Sequence, residues 1–279
     1  MLRAVGLLRY ERARARTLRR MRRAPGKPIV VYTIGKTGSS TVLATLAEAV
    51  PDRPVYQVHH LQPERVERSE RHYRSLPRPI ATGHVLAAQY LSRHRPPTPD
   101  DPWDVITLVR EPVAQDVSVF FQVGERRGLF RLDGEGRLVE PASVDELVER
   151  FRTWRDHEDD VRWFDDDFAP SLGIDVYARP FDAAAGFARY DGDRARVLLL
   201  RNEDLRRVGS AALGDFLGID PPALVAANVG AEKRYAEVYA EFRSRPVPAE
   251  LAESLYGSKL ARHFYSAAEL DGFRAAWLR

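Results

Sequence analysis

The chain has no cysteine and only two methionines among its 279 residues. Disulfides and thiolate chemistry are thereby excluded, while the redox compartment stays undecided. No stretch approaches the ~20 consecutive apolar residues that a spanning helix needs, so none is expected. Arginines interrupt the apolar residues near the start, which is not the pattern of a secretory leader, and the expected location is the cytoplasm. No internal repeat is visible. What is present, 44% hydrophobic and 30% charged residues, suffices to bury one large core.

The formal net charge of +3 hides an asymmetry. Residues 1–23 hold nine arginines and one glutamate, a local +8 that leaves −5 for the remainder. The expected organisation is a basic N-terminal arm, 1–27, on a single α/β domain, 28–279. Leu2, Val5, Leu7, Leu8, Leu18 and Met21 give the arm an apolar side, as in a helix lying on the inner face of an anionic membrane. A solvated arm is the alternative. Nucleic acid is not an expected partner, because the arm has one aromatic, Tyr10, and no recognition fold around it.

The most informative segment is the apolar run Ile29 to Ile34, which enters Gly35-Lys36-Thr37-Gly38-Ser39-Ser40-Thr41 and then a helix-forming stretch. Backbone N–H groups, hydroxyls and a helix start converge there as a phosphate cradle with a lysine inside it. A Walker A motif would need its first glycine at Val30, so the ordinary NTPase register fails. Downstream, the buried-type run Val105 to Val109 ends at Arg110. A charge at the carboxyl end of such a strand faces the ligand crevice of an open sheet. Ser118 follows in the next helix, and guanidinium with hydroxyl suits a phosphate.

Lys36-Thr37-Gly38-Ser39-Ser40 resembles the 5′-phosphosulfate loop of sulfotransferases, and Arg110 with Ser118 resembles their 3′-phosphate pair. Val197 to Arg201 with Asn202-Glu203-Asp204-Leu205, and Phe216-Leu217-Gly218-Ile219, resemble later motifs of that superfamily. Glu203 or Asp204 can also cap the helix that follows. Together with Trp163-Phe164-Asp165, Gly173 to Tyr177, Pro180-Phe181-Asp182 and Ser258 to Ser266, the chain from about 28 to 277 is similar to the bacterial capsular polysaccharide synthesis family, a sulfotransferase-like branch.

The resemblance implies a P-loop NTPase-like three-layer α/β/α fold with a central parallel sheet. It implies 3′-phosphoadenosine 5′-phosphosulfate as co-substrate, no metal, and a glycan, glycolipid or small-molecule acceptor. Gly35, Lys36, Thr37, Gly38, Ser39, Ser40, Thr41, Arg110 and Ser118 would hold the donor, with Lys259 and Arg262 closing over its 3′-phosphate. Lys36 would neutralise the leaving group. The base would be a histidine at a strand end beside the loop: His84 first, which resembles the catalytic histidine of small-molecule sulfotransferases, then His60, with His59 adjacent. A magnesium-dependent kinase and a non-catalytic membrane-associated capsule-assembly protein are the rival readings.

The pattern predicts strands at Ile29–Ile34, Val55–His59, Ile80–Thr82, Asp104–Val109, Asp175–Tyr177 and Arg196–Leu200. It predicts helices at Ser40–Glu48, Val113–Gln122, Val144–Phe164, Leu205–Leu217, Pro221–Glu241 and Ala267–Leu278. Gly124–Pro141 reads as a mobile loop that could be an acceptor lid. The acidic runs at 156–160 and 165–167 read as a solvated helix face rather than a metal site.

Overall fold

The computed structural model describes residues 2–227 and 233–279. In chain order come α1 (Leu2–Arg23), β1 (Ile29–Tyr32), α2 (Ser39–Ala49), β2 (Val55–Val58), α3 (Pro63–Ser75), α4 (Gly83–His94), β3 (Trp103–Val109) and α5 (Pro112–Val123). A hairpin, β4 (Arg131–Leu132) and β5 (Leu138–Glu140), leads to α6 (Val144–Thr153) and the short α7 (Ala169–Leu172). Then follow β6 (Phe187–Asp191), β7 (Ala195–Arg201), α8 (Leu205–Leu217), α9 (Ala236–Arg243), α10 (Ala249–Tyr256), α11 (Lys259–Phe264) and α12 (Ala267–Trp277).

The main sheet has the order β2-β1-β3-β7-β6. Its first four strands are parallel, so the ends of β1, β3 and β7 share one edge. Strand side chains alternate between faces, and both faces are apolar. Ile29, Val31, Ile106, Leu108, Leu198 and Leu200 pack with Val42 and Leu46 of α2 and Leu213 of α8. Val30, Tyr32, Val105, Val109, Val197 and Leu199 pack on the opposite side with Leu86 of α4 and Phe120 of α5. Helices therefore cover both faces.

Several expectations are corrected. The sheet is mostly, not wholly, parallel: β6 pairs antiparallel with β7, because Gly192 closes a tight turn to Ala195. Ile80–Thr82 is not a strand; Thr82 is the N-cap of α4. Asp175–Tyr177 is a turn in which the Asp175 carboxylate accepts from the Tyr177 amide at 2.8 Å. The helix expected over 144–164 stops at Thr153 and gives way to a 3-10 turn at His157–Asp159 and a π-helical turn at Phe164–Phe168. Those breaks turn His157 and Asp167 inward, where both are buried. The expected helix 221–241 crosses 228–232, which lie outside the described residues; downstream, α9 runs from Ala236 to Arg243. Gly124–Pro141 is a packed hairpin rather than a mobile loop, with Phe130 and Leu132 buried.

The basic segment is a helix docked on the body. Tyr10 and Met21 are buried, the Tyr10 hydroxyl donates to Glu70 at 3.4 Å, and the Tyr56 hydroxyl donates to the Met21 carbonyl at 3.4 Å. Its outer side exposes Arg9, Arg12, Arg16, Arg19 and Arg23 at helical spacing, with Val5 and Leu8 at its start. No helix among the described residues is long and apolar enough to cross a membrane.

Candidate anion-binding site

Strand β1 lies between β2 and β3. The chain leaving β1 enters α2 on one face of the sheet, and the chain leaving β3 enters α5 on the other. Divergence at neighbouring strand ends opens a crevice, the place where open α/β sheets bind ligands. The loop after β1 fills its floor.

Four successive carbonyls of that loop are taken by donors. The Thr37 hydroxyl lies 3.2 Å from the Ile34 oxygen, Gln115 Nε2 2.8 Å from that of Gly35, Arg110 Nη1 3.0 Å from that of Lys36, and Asn202 Nδ2 3.1 Å from that of Thr37. A trans peptide sets the next N–H antiparallel to its carbonyl. The amides of Gly35, Lys36, Thr37 and Gly38 therefore point away from those donors, and none of the four has a hydrogen-bond acceptor outside its own turn among the described residues. Lys36 holds a left-handed φ of 70° and Gly38 one of 96°. For lysine this costs about 1–2 kcal/mol, strain of the kind stored at ligand sites. Gly38 is required twice over: a Cβ there would lie 2.2 Å from Asn202 Nδ2.

Electrostatics single out the same loop. Burial, the charge of Lys233 and that of Arg110 bring the Lys36 ammonium down to about 8. Among the described residues no carboxylate pairs with Lys36, Arg110 or Lys233, although the chain holds abundant ion pairs elsewhere. Three cations gathered with no counter-charge among the described residues, beside oriented amides, suit a polyanion.

Three histidines stand at the ends of β2 and α4. His59 Nδ1 lies 2.6 Å from the Thr33 carbonyl oxygen, which only accepts, so Nδ1 carries the proton and Nε2 the lone pair. The His59 and His84 rings are 4.7 Å apart. Burial, then the charges of His59 and His60, push His84 down to about 3. His59 is also lowered, chiefly by burial. His60 Nδ1 lies 3.0 Å from Asp167 Oδ2. That carboxylate is fully buried and also accepts from the Leu61 amide at 2.8 Å and from the Tyr32 hydroxyl. It orients His60 with Nε2 available, while 31% of the His60 side chain remains exposed.

The structure places the sequence-predicted residues unevenly. Gly35 to Thr41, Lys36 and Arg110 come together as expected. The Thr37 hydroxyl faces inward to Thr33 Oγ1 at 2.7 Å, and Ser39 accepts from Gln57 Nε2 at 2.9 Å. Ser118 is half-buried on α5. Lys259 does not reach the loop; it pairs with Asp165 at 2.6 Å and sits 4.0 Å above the Tyr177 ring. Arg262 lines a separate cavity with Tyr177, Phe181 and His263. Glu203 and Asp204 do not cap α8 with their side chains: Glu203 accepts from the Glu111 amide at 2.8 Å and the Tyr265 hydroxyl at 3.0 Å, and Asp204 accepts from Arg201 and Arg207.

Of the acidic runs, Asp156, Glu158 and Asp159 pair with Arg162 at the surface. Asp160 instead joins Arg155 and Gln115, behind the loop. Sequence reasoning missed Lys233 and Gln115, and gave Asn202 a place in a motif but no role at the loop. Asn202 stands where the sulfotransferase pattern often carries an aromatic, and its amide braces the loop.

Residues 144–266, somewhat under half of the chain, match a protein family described as "Putative capsular polysaccharide synthesis protein". The match includes Lys233, Asn202 and the cavity around Arg262, and lies downstream of the loop and Arg110. No curated protein and no solved structure matches the chain.

Proposed function

We propose that the chain is a sulfotransferase of capsular polysaccharide synthesis, moving a sulfuryl group from 3′-phosphoadenosine 5′-phosphosulfate to a saccharide or glycolipid hydroxyl. The family match supplies the biological setting. The gathering of Lys36, Lys233 and Arg110 around oriented amides, with no carboxylate partner among the described residues, carries the chemistry.

The donor bears phosphate at two places, and the cations suit both. In the transfer the acceptor oxygen forms a bond to sulfur as the bond from sulfur to the bridging oxygen breaks. Negative charge collects on the departing phosphosulfate oxygen, where Lys36 stabilises it. The acceptor's proton passes to an imidazole, leaving a sulfate ester and adenosine 3′,5′-bisphosphate. His60 fits the base, because Asp167 holds its ring in place with Nε2 available. His84, held near 3, accepts a proton less readily in the ligand-free protein. A magnesium-dependent kinase would place the hydroxyl after the loop lysine on the metal. Here that hydroxyl, on Thr37, is fully buried against Thr33 and the Ile34 carbonyl.

The outward arginines of α1 would hold such an enzyme against an anionic membrane surface, where glycolipid acceptors reside. A thermal-shift experiment on the full chain tests the donor. Adenosine 3′,5′-bisphosphate should raise the melting temperature by mass action. A shift with ATP and magnesium alone would point to the kinase, and no shift with either to a non-catalytic assembly protein.

A further inference from the structure

Near the end of β7 lies a cavity of about 530 Å³ lined by Tyr177, Arg179, Phe181, Arg262, His263 and Tyr265. Its walls are built from inside. Arg201, the last residue of β7, is 3% exposed and donates to the carbonyls of Ala183 at 3.0 Å and Phe264 at 3.1 Å, and to Glu269 at 2.9 Å. One buried guanidinium thus ties together the segments that bear Phe181, His263 and Tyr265.

The cavity does not open from the loop's side of α11. Leu260 lines a small cleft with Ile34, Arg110 and Gln115. Arg262, two residues on, is turned about 200° around the helix. Arg179 and Arg262 are both exposed, and neither has a carboxylate partner among the described residues. Arg179 is pre-positioned, its guanidinium 4.6 Å above the Tyr190 ring. His263 Nε2 and the Tyr177 hydroxyl, both shielded from solvent, have no hydrogen-bond partner. The cavity thus presents two exposed guanidinium groups without a carboxylate partner among the described residues, over a wall of aromatic rings.

We infer that this cavity binds an anionic saccharide unit. The volume suits one or two sugar rings. Aromatic faces match the apolar C–H faces of a pyranose. Two guanidinium forks take a carboxylate, sulfate or phosphate carried on the ring. Its use as the acceptor subsite rests on the sulfuryl-transfer reading; the binding itself does not.

Isothermal titration of the full chain tests the inference with a hexuronic-acid disaccharide, its neutral methyl ester, inorganic sulfate and adenosine 3′,5′-bisphosphate. The acid disaccharide should bind at least about tenfold tighter than the ester or sulfate, and Arg179→Ala or Arg262→Ala should each weaken it by about tenfold. Lys36→Ala should leave disaccharide binding intact, and Arg262→Ala should leave bisphosphate binding intact. Equal binding of the ester, equal binding of bare sulfate, or no saccharide binding would overturn the assignment. So would competition by the bisphosphate, which would make the cavity part of the donor site. Disaccharide binding without bisphosphate binding would instead sink the sulfuryl-transfer reading and leave this cavity standing.

Discussion

Lys233 lies against Lys36, and after burial its charge is the largest influence bringing the Lys36 ammonium down to about 8. The two lysines come from opposite halves of the chain, yet the charge of Lys233 raises the cost of charging Lys36. A bound polyanion removes that cost. Donor binding above pH 8 should therefore take up protons, because Lys36 passes from partly neutral to fully charged. At about pH 8.5 roughly 0.7 of a proton should be absorbed per donor analogue bound. Titration calorimetry in buffers of different ionisation enthalpy reads this directly, and Lys233→Ala should reduce the uptake.

The same depression predicts opposite effects on stability and activity. The Lys36 value in the fold is lower than in the unfolded chain, so the charged form is the one that folding disfavours. The penalty is fully present below about pH 8 and vanishes above the unfolded value of 10.5. Lys36→Met should therefore raise ligand-free stability at neutral pH, by only ~1 kcal/mol since the ammonium is partly solvated. It should abolish sulfuryl transfer and the thermal shift with bisphosphate. Urea unfolding at pH 7 and pH 10 tests the sign: the gain should shrink at the higher pH.

Gly38→Ala adds a Cβ that meets Asn202 Nδ2 at 2.2 Å in a left-handed residue. Its cost should fall on the loop. Bisphosphate affinity should drop by about tenfold or more, while global stability falls by about 1–2 kcal/mol. Pairing it with Asn202→Ala removes the collision but not the backbone strain, so the double variant should recover only part of the affinity. Full recovery would mean that the steric contact alone matters.

The loop was legible in the sequence because its causes are local: an apolar strand, a glycine for the left-handed turn, and hydroxyls before a helix. Arg110 was legible for the same reason, as the charge that ends a buried strand. Lys233 was not, since nothing in its neighbourhood marks it; only the path of the chain after α8 brings it to Lys36. Lys259 was misread because its partners, Asp165 and the Tyr177 ring, sit on segments expected to be a solvated helix face and a strand. In Asp165-Asp166-Asp167 the first pairs with Lys259, the second with Arg65, and the third is buried under His60 and Tyr32. Periodicity cannot report three carboxylates turned in three directions by a π-helical turn.

The histidines separate by their partners. With Asp167 orienting it, His60→Ala should lower kcat by about 10²–10⁴ with little change in donor affinity. His84→Ala should lower kcat by less than about tenfold, since that imidazole is a weak base near 3. Single-turnover rates with saturating donor measure both. Equal losses would shift the role to a shared proton within the cluster, and a greater loss at His84 would transfer it there.

His157 sets the pH dependence of the fold behind the loop. Burial works against its charge, but the hydrogen bond and charge of Asp116, with the Arg152 carbonyl, outweigh it and raise its value above the usual 6.5. Both ring nitrogens face acceptors, Asp116 on one side and the Arg152 oxygen at 3.0 Å on the other, so the doubly protonated ring fits the site. Asp116 also takes Arg155 Nε at 3.0 Å, and Arg155 reaches Asp160 at 2.6 Å. Gln115 then joins Asp160 to the Gly35 carbonyl, at 3.0 Å and 2.8 Å. A group whose value rises on folding contributes stability that is complete below its unfolded value and is lost as pH climbs through the folded one. Melting temperature should therefore decline from about pH 6.5 upward, and His157→Gln should flatten that decline while lowering stability at acid pH. Because the network ends on the loop, bisphosphate affinity should weaken as His157 loses its proton in the fold. A melting curve that stays level from pH 6 to 8 would show that His157 is neutral in the fold.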